Sequence, residues 1–490
     1  MKESPRLSAS PARLTTGVPG LDDVLQGGIV PAAVYIIQGS PGAGKTILAN
    51  QMCFHRAAKG AQCLYVTLLA ESHDRMIEHL KHLSYFNNAR VPDEIYYESA
   101  YGTLEEEGLD GILRMLTRER KIHDPALIVL DGLFILEETA SSQSDFRRFV
   151  NNLSSFAHLT GSTILLLTNS ARTPRSPEYT MVDGWIELGS TQMEYESYRY
   201  IQVHKFRGSG FIPGQHFSNI TNNGIEIYPR LESIVGLGST SATIGSVKIS
   251  TGVSELDEML AGGVQTGSAT LLAGPTGIGK TTFGLEFISQ STLQEPGLIF
   301  GLYETEASLI DQSAALGIDL ATLIQDGAVE VLWRPATENR LDELGHQLVA
   351  AVRRRKVKRL FVDGINAFHQ SAFYPRRIGR FFTALTNALR AEGVTTLYTL
   401  ETEELMGGEL GVKSGTISAV AQNILLLRYE QSQGETQRTV SIIKVRTSQF
   451  DATIRKFFIT NQGIVIRDRL RKTEKVCSED ADSGHSERGN

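Results

Sequence analysis

Cysteine is scarce in this sequence. Its 490 residues hold three, Cys53, Cys63 and Cys477, and none forms a C-x-x-C pair. A disulfide framework and a thiolate zinc site are therefore disfavoured, and a reducing, cytoplasmic setting is expected. Long apolar runs are missing too. The stretch around Ala126–Leu130 falls far short of the roughly 20 residues that span a bilayer, so no membrane association is expected. The N-terminal MKESPRLSAS has no apolar h-region, so no signal peptide is expected. Nor is there an excess of positive charge. Lys and Arg number 48 against 55 Asp and Glu, a net −7 that weighs against nucleic acid as a partner. The strongest basic run, RRRKVKR at 353–359, closes a predicted helix and reads as a solvated face. Tryptophan occurs twice, as Trp185 and Trp333, and both read as core or interface packing. His73, His79 and His82 share a predicted helix. They lack carboxylate or cysteine support at matching spacing and read as surface histidines.

What the sequence does contain is a duplication. TGVPGLDDVLQGGI begins at Thr16 and TGVSELDEMLAGGV at Thr251. Each leads through an apolar run into a glycine-rich loop, GSPGAGKT (39–46) or GPTGIGKT (274–281). The order recurs downstream as LIVLDG (127–132) and RLFVDG (359–364), then VHKFRG (203–208) and IKVRTS (443–448). We therefore expect two homologous domains, 10–235 and 247–470. A Gly/Ser/Thr-rich linker at 236–246 would join them, and a polar, disordered tail would follow at 471–490. Short β-rich runs alternate with longer helical stretches in each copy. The first copy predicts helices from Lys45 to about Lys59 and from about His73 to His82. That alternation predicts an α/β fold, a mostly parallel sheet flanked by helices, with ligands at the carboxyl ends of the strands.

Both loops fit G-x-x-x-x-G-K-[ST], in each case after a strand and opening a helix, as a phosphate-binding loop requires. The first comprises Gly39, Ser40, Pro41, Gly42, Ala43, Gly44, Lys45 and Thr46. The second comprises Gly274, Pro275, Thr276, Gly277, Ile278, Gly279, Lys280 and Thr281. Glycines let backbone N–H groups converge on phosphates, and the helix N-terminus adds positive potential. Lys45 and Lys280 are expected to reach the β- and γ-phosphates of ATP, and Thr46 and Thr281 to ligate Mg2+. Asp131 and Asp363 end apolar strands downstream and are expected to orient the metal or its waters; the alternative is a strand-end aspartate capping a D-G turn. Glu71, Glu304 and Glu306 follow the second strand of each copy. They are candidates for activating a nucleophile, or else solvated strand-exit residues. Lys205 and Arg207, and Lys444 and Arg446, recur on late strands. They suit either phosphate contact from a neighbouring subunit or sheet-edge solubility.

Together these features resemble the KaiC family of RecA-like ATPases over roughly 14–470. The resemblance carries the T-G-x-x-x-L-D-x-x-L-x-G-G segment, the loop, the D-G strand end and the K-x-R segment. It implies tandem RecA-like P-loop domains in a homo-hexameric double ring, with ATP and Mg2+ at subunit interfaces. It further implies serine autokinase or autophosphatase activity in the second domain and a circadian-type timing or signalling role. The implied partner is a KaiB-like protein or a signalling kinase. The family places two adjacent glutamates after the second strand, the first being the usual general base. Here Leu69-Ala70-Glu71-Ser72 keeps only the second, and Tyr303-Glu304-Thr305-Glu306 keeps only the first. Domain two is therefore expected to be the better phosphoryl-transfer site. In the segment matching the family's phosphoacceptors, Ser418 matches the serine while Ala419 replaces the threonine; Thr416 lies nearby. Single-site modification at Ser418 is one reading and an ordinary interface serine the other. The tail lacks the family's regulatory pattern, so no KaiA-like partner is expected. Two competing readings share the nucleotide site: a RecA-like DNA-dependent ATPase or recombinase, and a nucleotide-held hexameric scaffold with little hydrolysis.

Overall fold

The computed structural model describes residues 13–68, 73–169, 178–193, 196–235, 245–335, 340–402, 420–432, 435–446 and 448–469. Two nine-stranded sheets organise them. By proximity the chain divides into two compact units. One holds Met1–Thr240 with Glu338–Ala350 and Ser371–Leu385; the other holds Ser241–Thr337, Ala351–Gln370 and Thr386–Asn490.

The first sheet is built from β1 (Val34–Gly39), β2 (Cys63–Thr67), β3 (Ile95–Ser99), β4 (Leu127–Asp131), β5 (Thr163–Thr168), β6 (Gly184–Met193), β7 (Glu196–Phe206), β8 (Gln215–Thr221) and β9 (Gly224–Tyr228). Their spatial order is 3-2-4-5-1-6-7-8-9. Strands β3 to β6 in that order pair in parallel, and β7, β8 and β9 add antiparallel. Parallel strands need helices on both faces, so their side chains are apolar in both directions. β1 shows this. Tyr35 and Ile37 join the core beneath the helix Lys45–Ala57, while Val34 and Ile36 join the core on the opposite face.

The second unit begins with a two-residue ladder, β10 (Lys248–Ile249) and β11 (Val264–Gln265). Its sheet then repeats the first in β12 (Ala269–Gly274), β13 (Gly297–Gly301), β14 (Val329–Trp333), β15 (Arg359–Asp363), β16 (Thr395–Glu401), β17 (Asn423–Ser432), β18 (Glu435–Val445), β19 (Arg455–Thr460) and β20 (Gly463–Arg469). The order, 14-13-15-16-12-17-18-19-20, is the same topology shifted along the chain. This is the tandem RecA-like architecture expected from the sequence.

The repeated T-G-x-x-x-L-D segment proves to be a strap. Asp22 accepts from the Thr16 backbone N–H at 3.0 Å and its hydroxyl at 2.7 Å; Asp257 does the same for Thr251 at 2.8 and 2.7 Å. Behind each threonine a glycine at positive φ lies against the loop helix. A Cβ on Gly17 would fall 2.2 Å from His55, and one on Gly252 would fall 2.1 Å from the Glu286 carbonyl. The strap thus presses the start of each repeat onto its loop helix.

Helix ends differ slightly from expectation. The first loop helix stops at Ala57, and the next runs His73–Leu80, which leaves His82 beyond it; His79 and His82 are exposed. Trp185 is buried and stacks at 4.1 Å on both Tyr179 and His204, whereas Trp333 is 39% exposed at the end of β14 rather than in a core. Cys53 and Cys63 are free and buried.

The two units pack their loop helix against the neighbouring strand by opposite volume choices. In the second, Gly284 sits over Phe361 so closely that a Cβ would meet the ring at 2.0 Å. In the first, Ala49 and Val129 occupy the matching positions of one core. Glycine inside a helix costs about 1 kcal/mol relative to alanine, yet here the ring leaves no room for a methyl. Gly284→Ala is expected to destabilise by about 1–3 kcal/mol. In denaturant unfolding, Phe361→Val should restore part of that loss in the double variant, which is the coupling expected of residues in contact.

Candidate functional site

Each glycine-rich loop leaves the carboxyl end of a central strand, β1 or β12, and turns into a helix. The turn demands left-handed backbone immediately before the lysine. Gly44 adopts φ +99° and Gly279 φ +114°, values that an L side chain rarely takes. The first-turn N–H groups of an α-helix have no partner within the helix, so the loop presents a ready concavity for anionic oxygens. The lysines fold back into it. Lys45 donates to the carbonyls of Gly39 at 2.7 Å and Ser40 at 3.1 Å, and Lys280 to those of Gly274 at 3.0 Å and Pro275 at 2.8 Å. Burial pulls both ammonium groups below their ordinary pKa. Asp131 opposes this at Lys45; Glu401 and Asp363 oppose it at Lys280.

Facing each loop is the aspartate that ends the strand two places along the sheet. Thr46 donates to Asp131 at 3.2 Å and Thr281 donates to Asp363 at 2.9 Å. The hydroxyl and carboxylate oxygens converge beside the lysine, a donor set that could hold a hard divalent cation. The D-G turn places Gly132 and Gly364 at positive φ, so these aspartates also head a turn, but their carboxylates are engaged by the loop helix.

The second anchor of each aspartate differs, and sequence reasoning missed both. In the first repeat the Tyr65 hydroxyl, from β2, donates to the Asp131 oxygen that Thr46 also uses, at 2.7 Å. In the second, Thr399 from β16 donates to the other Asp363 oxygen at 2.6 Å and accepts from the Gly364 N–H at 2.7 Å. Burial pushes Asp363 up from the usual carboxylate range; the two threonines and Lys280 resist, and Glu304 adds to the rise. Glu304 follows β13 three residues beyond Gly301, which pairs with Asp363. Glu304 accepts from Ser308 at 2.5 Å and is partly exposed, as a group meeting a solvent nucleophile must be. Glu306 is exposed in the first turn of a helix capped by Thr305, a solvated position. Glu71 and Ser418 lie outside the described residues, as do Thr416 and Cys477.

A further carboxylate escaped the sequence reading. Glu401 ends β16 directly beside the loop strand, paired with Gly274, and accepts from the loop hydroxyl of Thr276 at 2.6 Å.

The K-x-R residues lie at the wrong end of the sheet for their own loop. Lys205 pairs with Trp185, which pairs with Ile36, three residues below Gly39. Lys444 pairs with Ile424, which pairs with Leu271, three residues below Gly274. Three residues rise about 10 Å, and two strand spacings add about 9.6 Å sideways. The lysines also point elsewhere. Lys205 donates to the carbonyls of Tyr179, Thr180 and Val182 at 2.7–2.9 Å, and Lys444 to that of Ala421 at 2.8 Å. Arg207 donates to the Thr180 carbonyl at 2.8 Å, and Arg446 lies one residue past the end of β18. The basic run 353–359 is not wholly a solvated face. Arg353 pairs with Glu392 and Arg354 and Arg355 with Glu330, while Arg359 is buried on β15 and donates to the Ser250 carbonyl at 2.8 Å.

Thr399 is fully buried, so its double role has a measurable cost. Thr399→Val is expected to destabilise the second unit by about 2–4 kcal/mol, because a carboxylate oxygen and the Gly364 N–H each lose a partner. Denaturant unfolding followed at Trp333 would register it.

Comparison with known proteins adds an independent line. The family model described as "ATPase: KaiC" matches residues 14–232 and again 249–471. The chain is 25% identical over 486 residues to the circadian clock oscillator protein KaiC of Parathermosynechococcus lividus, covering 94% of this chain and 87% of that protein. It is 24% identical to the protein of that name from Prochlorococcus marinus, covering 95% and 94%. It is 25% identical to the circadian clock oscillator protein KaiC 1 of a Synechocystis strain, covering 95% and 91%.

Proposed function

The chain belongs to the KaiC family of ATPases, and from that premise we propose that it is an Mg-ATP-hydrolysing regulatory protein whose second site performs the faster phosphoryl transfer. The observation that carries this reading is the second-repeat constellation of Lys280, the Thr281–Asp363 pair and Glu304. The loop backbone would cradle the phosphates and Lys280 would leave its carbonyl partners for the β- and γ-phosphate oxygens. Thr281 and Asp363 would hold Mg2+, which supplies charge neutralisation between those phosphates. Glu304, partly exposed and three residues beyond the strand partner of Asp363, would orient the attacking water and take up its proton. In the first repeat Ala70 stands where Glu304 stands in the second. The first site would then bind nucleotide mainly as a structural element, with Glu71 its one candidate base.

In each unit the K-x-R pair lies too far along the sheet to serve the terminal phosphate of its own loop, which leaves a gap between that pair and the phosphate it would neutralise. The K-x-R pairs at the far ends of the sheets would fill that gap from a neighbouring copy, in a homo-hexameric ring with nucleotide between subunits. Ser418 is the proposed acceptor if the second site transfers phosphate to the protein itself. A timing or signalling role, read out by a KaiB-like protein or a signalling kinase in the cytoplasm, follows as the wider proposal.

Steady-state ATP turnover tests the division of labour. Lys280→Ala is expected to lower total turnover by about tenfold or more, while Lys45→Ala, with assembly checked separately, should change it by less than about threefold. Equal losses would sink the proposal. Subunit mixing tests the shared site. Glu304→Gln and Arg446→Ala chains should each be nearly inactive alone. Mixed, they should regain activity, since some interfaces then combine an intact Glu304 with an intact Arg446. No recovery in confirmed mixed assemblies would count against a cation delivered between subunits.

A further inference from the structure

The second loop carries a latch that the first lacks. Thr276, the third loop residue, donates its hydroxyl to Glu401 at 2.6 Å. The backbone of Glu401 is itself held, its N–H donating to the Asn366 side chain at 3.1 Å and its carbonyl accepting from the same amide at 3.4 Å. Asn366 opens the short helix that follows Asp363 and Gly364. Glu401 is thus fixed between the loop and the strand-end aspartate. Its charge is felt on both sides. It supports the ammonium form of Lys280 against burial, and it disfavours ionisation of Tyr303, whose ring covers Gly364. In the first repeat β5 pairs Thr168 with Gln38, so the residue level with Gly39 is the neutral Asn169, and the third loop residue is Pro41, which has no hydroxyl.

Lys280 now rests on the carbonyls of Gly274 and Pro275, at the start of the loop. A phosphate-loop lysine serves the β- and γ-phosphates. The start of the loop is therefore the side where the terminal phosphate arrives, and Thr276 is the next residue. A nucleoside diphosphate leaves the latch intact. A triphosphate brings further negative charge against Glu401 and competes with it for Lys280. Resting on the nucleotide-site reading above, we infer that Glu401 is a specificity-determining residue that biases the second site towards nucleoside diphosphate, a bias the first site does not share.

Glu401→Gln isolates the charge, because the amide oxygen can still accept from Thr276. The measurement is calorimetric titration with Mg-ATPγS and Mg-ADP in a Lys45→Ala chain, so that only the second loop is read. The dissociation-constant ratio, ATPγS over ADP, is expected to fall by about tenfold on substitution, chiefly through tighter ATPγS binding. The change should shrink in high salt, as for a partly exposed charge. Thr276→Val keeps the charge and should leave the ratio within about twofold of the parent. The converse substitution, Asn169→Glu read in a Lys280→Ala chain, should raise the ratio at the first site, and it tests the idea even if Glu401→Gln does not fold. An unchanged ratio, or equal weakening of both nucleotides, would overturn the assignment while leaving the site itself standing. Undiminished second-site binding after Lys280→Ala would instead remove the nucleotide-site reading, and the inference with it.

Discussion

The contact on which each half depends is the one between a threonine in the first turn of the loop helix and an aspartate at the end of a strand two places away. Thr46 with Asp131, and Thr281 with Asp363, join three things at once: the loop, the helix it opens and the carboxyl end of an interior strand. The glycines before the lysine supply the left-handed backbone that lets the loop turn into that helix. The strap that begins at Thr16 or Thr251 lies against the same helix farther along, at His55 or Glu286. The loop helix of each site is thus held at two places, by the strap and by the clasp.

The two halves reach the same geometry with different second anchors. A tyrosine from β2 steadies Asp131, whereas a threonine from β16 steadies Asp363. In the first case both donors share one oxygen; in the second each oxygen has its own. The two carboxylates are steadied by different neighbours from different strands, so equivalence of the two sites does not follow from equivalence of their motifs. Glu401, opposed in the first repeat by Asn169, widens that difference.

What was legible in the sequence was whatever is local or duplicated. The loops announce themselves because glycine spacing is a backbone requirement, and the strand-end aspartates because each closes an apolar run. The α/β alternation gave the sheet class and the duplication gave the two copies. Tyr65, Thr399 and Glu401 were not legible, because each lies inside or at the end of an ordinary strand and acquires its partner only through strand order. The levels of Lys205 and Lys444 were hidden for the same reason: register, not spacing along the chain, puts them at the far end of the sheet. Arg359 looked like part of a solvated basic run until β15 carried it inside, where the Ser250 carbonyl and the Phe287 ring receive it.

The opposite volume choices beneath the two loop helices bear on inheritance as well as packing. A gene with two similar segments invites unequal exchange between them. Here a helix and the strand under it form a keyed pair, Gly284 with Phe361 in one half and Ala49 with Val129 in the other. A crossover falling between helix and strand would set a methyl into a ring, or leave a void where the ring had been. Either product would fold poorly. Such a mismatch would act against averaging the duplicated halves back into one, and would leave each free to follow its own chemistry.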